Sequence, residues 1–181
     1  MTKFEFIAVL LSIIFGLGLT NLLSGVLQAF FRRELNDTRL AWSILVANLL
    51  LVNWWLLFRW SGHPVWQFHE FLYLVIYATA HYLMAVCLYP YENLSEYSEE
   101  LQRKYLLWSI LAVAALDVGE NYVRGDLFEP WYYLLMILYI VILTVLPLVN
   151  PKPSIMRACG WILAVSILAW SVVVRSVLAS Q

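Results

Sequence analysis

The sequence predicts an all-α protein: a six-transmembrane-helix bundle forming a single membrane domain over residues 1–181. Three observations predict it. The first is composition. Apolar residues make up 63% of the chain and charged residues 13%, where soluble proteins hold about 45–50% and about 25%. Such a chain cannot cover its surface with polar groups and needs an apolar solvent. The second is segmentation. Six apolar stretches approach the ~20 residues that a helix needs to cross a ~30 Å hydrocarbon core. The third is the lack of alternation: runs such as Leu134-Leu135-Met136-Ile137-Leu138 do not fit the strands of a membrane barrel.

The first helix is expected over about residues 5–31, stopped by Arg32 and Arg33. Lys3 ahead of an apolar stretch has the look of a signal peptide. The stretch from Phe4 to Phe31 is far longer than a ~7–15-residue signal core, and no small-x-small site ends it, so it reads as a membrane helix. The second helix is expected over about 40–58, ending at Arg59, and the third over about 67–89, ending at Pro90. The fourth, fifth and sixth are expected over about 105–122, 131–148 and 158–178. Pro147, Pro151 and Pro153 are expected to close the fifth, because proline cannot continue a helix. Short loops make neighbouring helices antiparallel. The longest loop, Tyr91 to Lys104, is charged, and Asn93 followed by Glu96 fits a capping box. A short surface helix running into the fourth span is expected there.

Basic residues set the expected orientation. Arg32, Arg33, Arg39, Arg103, Lys104, Lys152 and Arg157 lie in the loops after helices one, three and five; Lys3, Arg59, Arg124 and Arg175 lie on the other side. Positive-inside bias puts the richer side in the cytoplasm and both termini outside. Each even helix also opens on a cation followed within about a turn by tryptophan: Arg39 and Trp42, Lys104 and Trp108, Arg157 and Trp161. Snorkelling cations and interfacial tryptophans share one boundary. Trp60, Trp66, Trp131, Tyr132 and Tyr133 are expected to form the belt at the opposite one.

Ionisable groups inside a bilayer are costly and are candidate functional groups. Glu5, Arg59, His69, Glu70, Asp117, Glu120, Arg124 and Arg175 all fall near the expected outer ends of helices, where one polar vestibule would collect them. On the fourth helix Asp117, Glu120, Asn121 and Arg124 stand at i, i+3, i+4 and i+7, hence on one face. Asp117 lies roughly 8 Å below the expected end of that helix. This face suits a cation, metal or proton site; equally, it suits an interhelical ion-pair network with Arg59 or Arg175. The third helix carries His69, Tyr73, Tyr77 and His81 at i+4 steps, the spacing of a proton relay or of an aromatic packing face. His69 and His81 stand about 18 Å apart along the axis and cannot share a metal or haem.

On the first helix Thr20, Ser24 and Gln28 form a polar stripe with Asn21 beside it. The stripe would line a permeation path or bond a neighbouring helix. Gly18, Gly25 and Ala29 form an adjacent small face for close helix packing. Cys87 and Cys159 make no CxxC motif and read as packing residues.

Phe4-Glu5-Phe6-Ile7 and the run Gly16-Leu17-Gly18-Leu19-Thr20-Asn21-Leu22-Leu23-Ser24-Gly25 resemble the opening of an uncharacterised group of small bacterial polytopic inner-membrane proteins. The resemblance covers about the first 30 residues. It implies a bacterial inner-membrane location and no activity. The group often carries histidine where Asn21 stands, so no site is carried over.

Several classes are excluded. All three lysines lie outside the spans, so no retinal Schiff base can form. There is no P-loop, HExxH or GxSxG. The net charge of −1 leaves no footprint for nucleic acid. The expectation is a non-enzymatic membrane protein whose partner is the lipid bilayer. It would pass a small ion or solute as a homo-oligomer, or serve as the membrane subunit of a larger assembly. The alternatives are a metal-dependent enzyme acting on lipid at the outer leaflet and a purely structural bundle. No cofactor is predicted beyond the metal ion of the first alternative.

Overall fold

The computed structural model describes residues 3–63, 65–90, 98–125, 128 and 130–174. Within these residues the chain forms α1 (Lys3–Phe31), α2 (Asp37–Leu56) with a 3-10 turn (Leu57–Trp60), α3 (Phe68–Leu88), α4 (Glu99–Arg124), α5 (Tyr133–Val149) and α6 (Pro153–Val174). It is an all-α bundle of six helices.

Helices α2 to α6 each pack on the next, and α6 returns to α2, so the five close a ring. Helix α1 lies outside it, against α2 and α3. Its buried residues explain the docking. Ile7, Leu11, Phe15, Gly18, Leu22 and Ala29 recur at steps of mostly four and three, which keeps them on one stripe. Leu17, Leu23, Leu27 and Phe30 cover the opposite face of α1 and are exposed. Large apolar side chains ring the bundle elsewhere too, among them Leu135, Ile142 and Val165. A surface this apolar requires lipid. Five helices are long and apolar enough to cross a membrane; α5, with 17 residues, falls below that length.

Several boundaries differ from expectation, each for a local reason. Helix α2 begins at Asp37 because Asn36 Oδ1 caps it, accepting from the Arg39 N–H at 2.8 Å. Helix α4 begins at Glu99 behind Ser98, whose hydroxyl accepts from the Leu101 N–H at 3.3 Å. Charged residues end a membrane span but not a helix, and Glu100 and Lys104 pair at i, i+4 at 2.7 Å. The surface turn is thus continuous with the fourth span; Asn93 and Glu96 lie outside the described residues. Gly125, at φ +80°, closes α4 in the left-handed conformation. Pro147 does not end α5, which runs on to Val149; in the last turn its missing N–H costs a single hydrogen bond. Pro153 opens α6 instead, at the position where a fixed φ favours helix.

The expected aromatic belt is also corrected. Trp131 is exposed, but Trp60 and Tyr133 are buried at 3% and 2% exposure. Both have polar partners inside the bundle, described next.

Candidate functional site

Three helices bring polar groups together at one level. Asp117 stands seven residues before the end of α4, about 10 Å along the axis. Asn53 stands at the corresponding height on α2, and Tyr77 and His81 on α3. None can reach water easily: Asn53 is 7% exposed, Tyr77 4% and His81 0%. In such a place each polar atom needs a partner.

The partners form one chain across four helices. The Tyr77 hydroxyl lies 2.7 Å from Asn53 Oδ1 and 2.9 Å from Asp117 Oδ1. The Tyr133 hydroxyl donates to Asp117 Oδ2 at 2.7 Å. Asn121 Nδ2 donates to the Tyr133 oxygen at 3.1 Å and to the Asp117 carbonyl at 2.9 Å. On the other side Asn53 Nδ2 donates to the Leu49 carbonyl at 2.9 Å and faces His81 Nε2 at 3.0 Å. His81 Nδ1 lies 2.9 Å from the Tyr77 carbonyl. A carbonyl can only accept, so Nδ1 carries the hydrogen and Nε2 accepts from Asn53. Phe15 of α1 closes the chain off, its ring centroid 5.3 Å from that of His81.

Glu120, one turn towards the helix end, has a different setting. The Trp60 indole N–H donates to Glu120 Oε1 at 2.7 Å, and Arg124 Nη1 lies 3.6 Å from the same oxygen. The Arg124 guanidinium also sits 5.9 Å from the centroid of a Trp60 ring. Two cavities border the cluster. A chamber of about 20 Å³ is lined by Asn53, Arg59, Trp60, Tyr77, Asp117 and Glu120 among others; a water needs about 10–15 Å³. A second, apolar cavity of about 50 Å³ lies between α2, α4, α5 and α6. Asn53 and Asp117 line both, and so stand as the partition between a polar and an apolar space.

The sequence-derived candidates divide accordingly. Asp117, Glu120, Asn121 and Arg59 line this chamber, and Arg124 reaches Glu120 beside it. His69 is exposed on α3 and takes no part. Glu70 turns to the start of its own helix, accepting from the Gln67 N–H at 2.8 Å and meeting His63 at 3.1 Å. Arg175 lies outside the described residues. Among the described residues no group of three or more His, Cys, Asp or Glu side chains is placed to hold a metal ion.

Residues the sequence reading did not assign to the site are Asn53, Trp60 and Tyr133. Asn53 had a legible signal, a lone amide within Leu49-Leu50-Leu51-Val52-Asn53-Trp54-Trp55. Trp60 and Tyr133 had none, because an interfacial aromatic and a buried one look alike in sequence.

The polar stripe of α1 is not part of this chain. Thr20, Ser24 and Gln28 are exposed on the face turned away from the bundle. Asn21 turns inward and donates to the carbonyls of Ala85 at 3.3 Å and Tyr89 at 3.1 Å. It joins a clamp at the end of the bundle where the basic loops lie. There the Tyr89 hydroxyl meets Ser43 Oγ at 3.0 Å, Arg39 sits over the ring, and Gly25 packs on it so closely that any Cβ would overlap it. Burial raises the Tyr89 phenol above its ordinary range, against opposing pulls from Ser43 and Arg39. Gly18 packs on Leu50 and the Tyr82 backbone. Between clamp and site stand Leu22, Val46, Leu50, Met84 and Ala85, each 0–1% exposed. The polar chain therefore stops short of the basic end.

Comparison with family models, with curated proteins and with solved structures found no match.

Proposed function

We propose that this protein is a non-enzymatic multi-pass membrane protein that binds a proton or a small monovalent cation at Asp117, as the ion-handling part of a permeation or coupling device. The observation that carries the reading is the setting of that carboxyl group. It is held by two tyrosine hydroxyls, from α3 and α5, beside a chamber the size of one water. Hydroxyl ligands orient a carboxyl without cancelling its charge, whereas Glu120 is held by an arginine on its own helix. An intramembrane carboxylate costs about 2.5–3.5 kcal/mol on the insertion scale, which favours retention for a use.

With the basic loops in the cytoplasm, the chamber and both termini face outward, in a bacterial inner membrane as the first helix suggests. The apolar layer between site and clamp makes the described conformation a closed one. The exposed Thr20–Ser24–Gln28 stripe supports a homo-oligomer or a partner subunit against α1, since hydrogen-bonding groups facing lipid gain from a protein neighbour.

Proteoliposomes test the function. Uptake of protons or of sodium under an imposed gradient is expected with the wild-type chain and lost in Asp117→Asn. If neither ion moves and neither alters thermal stability at any concentration, the reading ends.

A further inference from the structure

Counting hydrogens along the buried chain takes the reading one step further. The Tyr77 oxygen has two oxygen neighbours within hydrogen-bond distance, Asn53 Oδ1 at 2.7 Å and Asp117 Oδ1 at 2.9 Å. Each contact needs a hydrogen, and a phenol owns one. The amide of Asn53 cannot supply the second by turning over. Its nitrogen serves the Leu49 carbonyl at 2.9 Å and His81 Nε2 at 3.0 Å. Reversed, its oxygen would face the Leu49 carbonyl, acceptor against acceptor. It would also require a hydrogen on His81 Nε2 while Nδ1 keeps its own toward the Tyr77 carbonyl, an imidazolium in a site with 0% exposure. Tyr133 gives its hydrogen to the other carboxyl oxygen, Oδ2. One hydrogen is missing, and its place lies between Asp117 Oδ1 and Tyr77.

Resting on the function proposed above, we infer that the ion bound in this conformation is a single proton on Asp117 Oδ1, and that Tyr77 is a toggle that reports its presence to α2. With the proton in place, Asp117 donates to the Tyr77 oxygen and Tyr77 donates to Asn53 Oδ1. Asn53 donates to His81, and His81 donates to the Tyr77 carbonyl. Every hydrogen then has an acceptor. On release the Asp117 O–H bond breaks and the proton leaves to solvent through the chamber beside Arg59 and Glu120. The Tyr77 hydroxyl turns its hydrogen to the carboxylate. Asn53 Oδ1 and the Tyr77 oxygen are left as two acceptors at 2.7 Å, which repel. Helix α2 loses its tie to α3, and the layer of Val46, Leu50 and Met84 below loosens with it. Proton occupancy is thereby coupled to the contact that closes the bundle.

Among the described residues, the titratable and charged groups around this position are Arg59 after α2, Tyr73 and His81 on α3, Glu120 and Arg124 on α4, and Tyr133 on α5. Glu120→Gln separates the second carboxyl from the first.

The test uses the purified full-length chain. Its infrared spectrum at neutral pH is expected to show a protonated-carboxyl C=O band that Glu120→Gln keeps and Asp117→Asn lacks. In Tyr77→Phe the band should move to higher frequency, because the acid loses its acceptor. A folded state that holds a proton the unfolded chain releases loses stability as pH rises. As pH rises from mildly acidic towards the release of that proton, wild-type melting should therefore fall by about 3–5 °C per pH unit more than that of Asp117→Asn, since each unit is a tenfold change in the folding equilibrium. Should Asp117→Asn not fold, the frequency shift in Tyr77→Phe decides. A missing band, or one unmoved in Tyr77→Phe, overturns the inference. Sodium raising the melting temperature at fixed pH through Asp117 would also overturn it while leaving the broader ion-binding reading intact. Loss of both the proton and the sodium response overturns both.

Discussion

Replacing Asn53 with leucine removes the residue that ties α2 to α3. Leucine matches the amide in shape, so little room is gained or lost. The change leaves two buried groups without partners, His81 Nε2 and the Asn53-facing side of the Tyr77 hydroxyl, which the structure places at 3.0 and 2.7 Å from the amide. Each stranded group costs about 1–3 kcal/mol, or about 2–6 kcal/mol together. At about 2–4 °C per kcal/mol for a chain of this length, the melting temperature should fall by roughly 4–24 °C. Asn48→Leu is the control. Asn48 is equally buried but reaches Ser171 Oγ at 3.0 Å, and that hydroxyl keeps its bond to the Ile167 carbonyl at 2.7 Å. Its loss should be less than half as large. The two changes sit on one helix and remove the same chemical group, so helix propensity cancels between them. Thermal unfolding in detergent is the assay, with Tyr77→Phe and the Asn53→Leu/Tyr77→Phe double variant completing a cycle. Groups in one network couple by about 0.5–3 kcal/mol, so the double variant should be more stable than the sum of the singles implies. Additive losses, or an Asn48→Leu variant as damaged as Asn53→Leu, would refute the picture of a single connected chain.

Three more predictions follow from the packing. Gly25→Leu should sharply lower folded yield, because its side chain would occupy the space of the Tyr89 ring; Gly16→Leu, which meets nothing within 4 Å, should be tolerated. Tyr133→Phe should cost about 1–3 kcal/mol by stranding Asp117 Oδ2, while Tyr122→Phe, 70% exposed, should stay within about 0.5 kcal/mol, as read from melting curves. Single cysteines at Ser98 and Trp131, in a background without Cys87 and Cys159, should be labelled from opposite sides of intact cells, Trp131 from outside; the reverse would invert the proposed sidedness.

The helices were legible because a bilayer imposes one crude demand, length of apolar sequence, and six stretches meet or approach it. Helix ends were less legible. Asn36 and Ser98 act through the geometry of a cap, and the charged turn before Tyr105 marks the membrane boundary rather than the helix boundary. Within the site, the face of Asp117, Glu120 and Asn121 followed from spacing alone, since one helix fixes it. The partners did not, because they depend on which helix lies opposite. His69 and His81 stand in one run of i+4 steps, yet the deeper one meets Asn53 of α2 and Phe15 of α1 while the other is exposed. The stripe on α1 failed for a similar reason. Thr20 and Gly18 lie on different sides of one helix, and the small residues, rather than the polar ones, chose the side that docks.

The shortness of α5 has a consequence for the lipid around it. Its 17 residues span about 26 Å, a few ångströms less than a hydrocarbon core of about 30 Å. Its neighbours are long enough to cross unaided, so the deficit is local to one side of the bundle. The acyl chains there must compress, or headgroups and water must dip inward, at a cost of a fraction of a kcal/mol per ångström of mismatch. Tyr133, whose hydroxyl holds Asp117, is the first residue of that helix. On the proposed reading, in which α5 crosses the membrane with its neighbours, the lipid is thinnest along the helix whose first residue holds the half-buried carboxyl group. Bilayer thickness becomes a variable that acts on the site from the side, so vesicles of shorter-chain lipids should bring the interface nearer to Asp117 than longer-chain ones do.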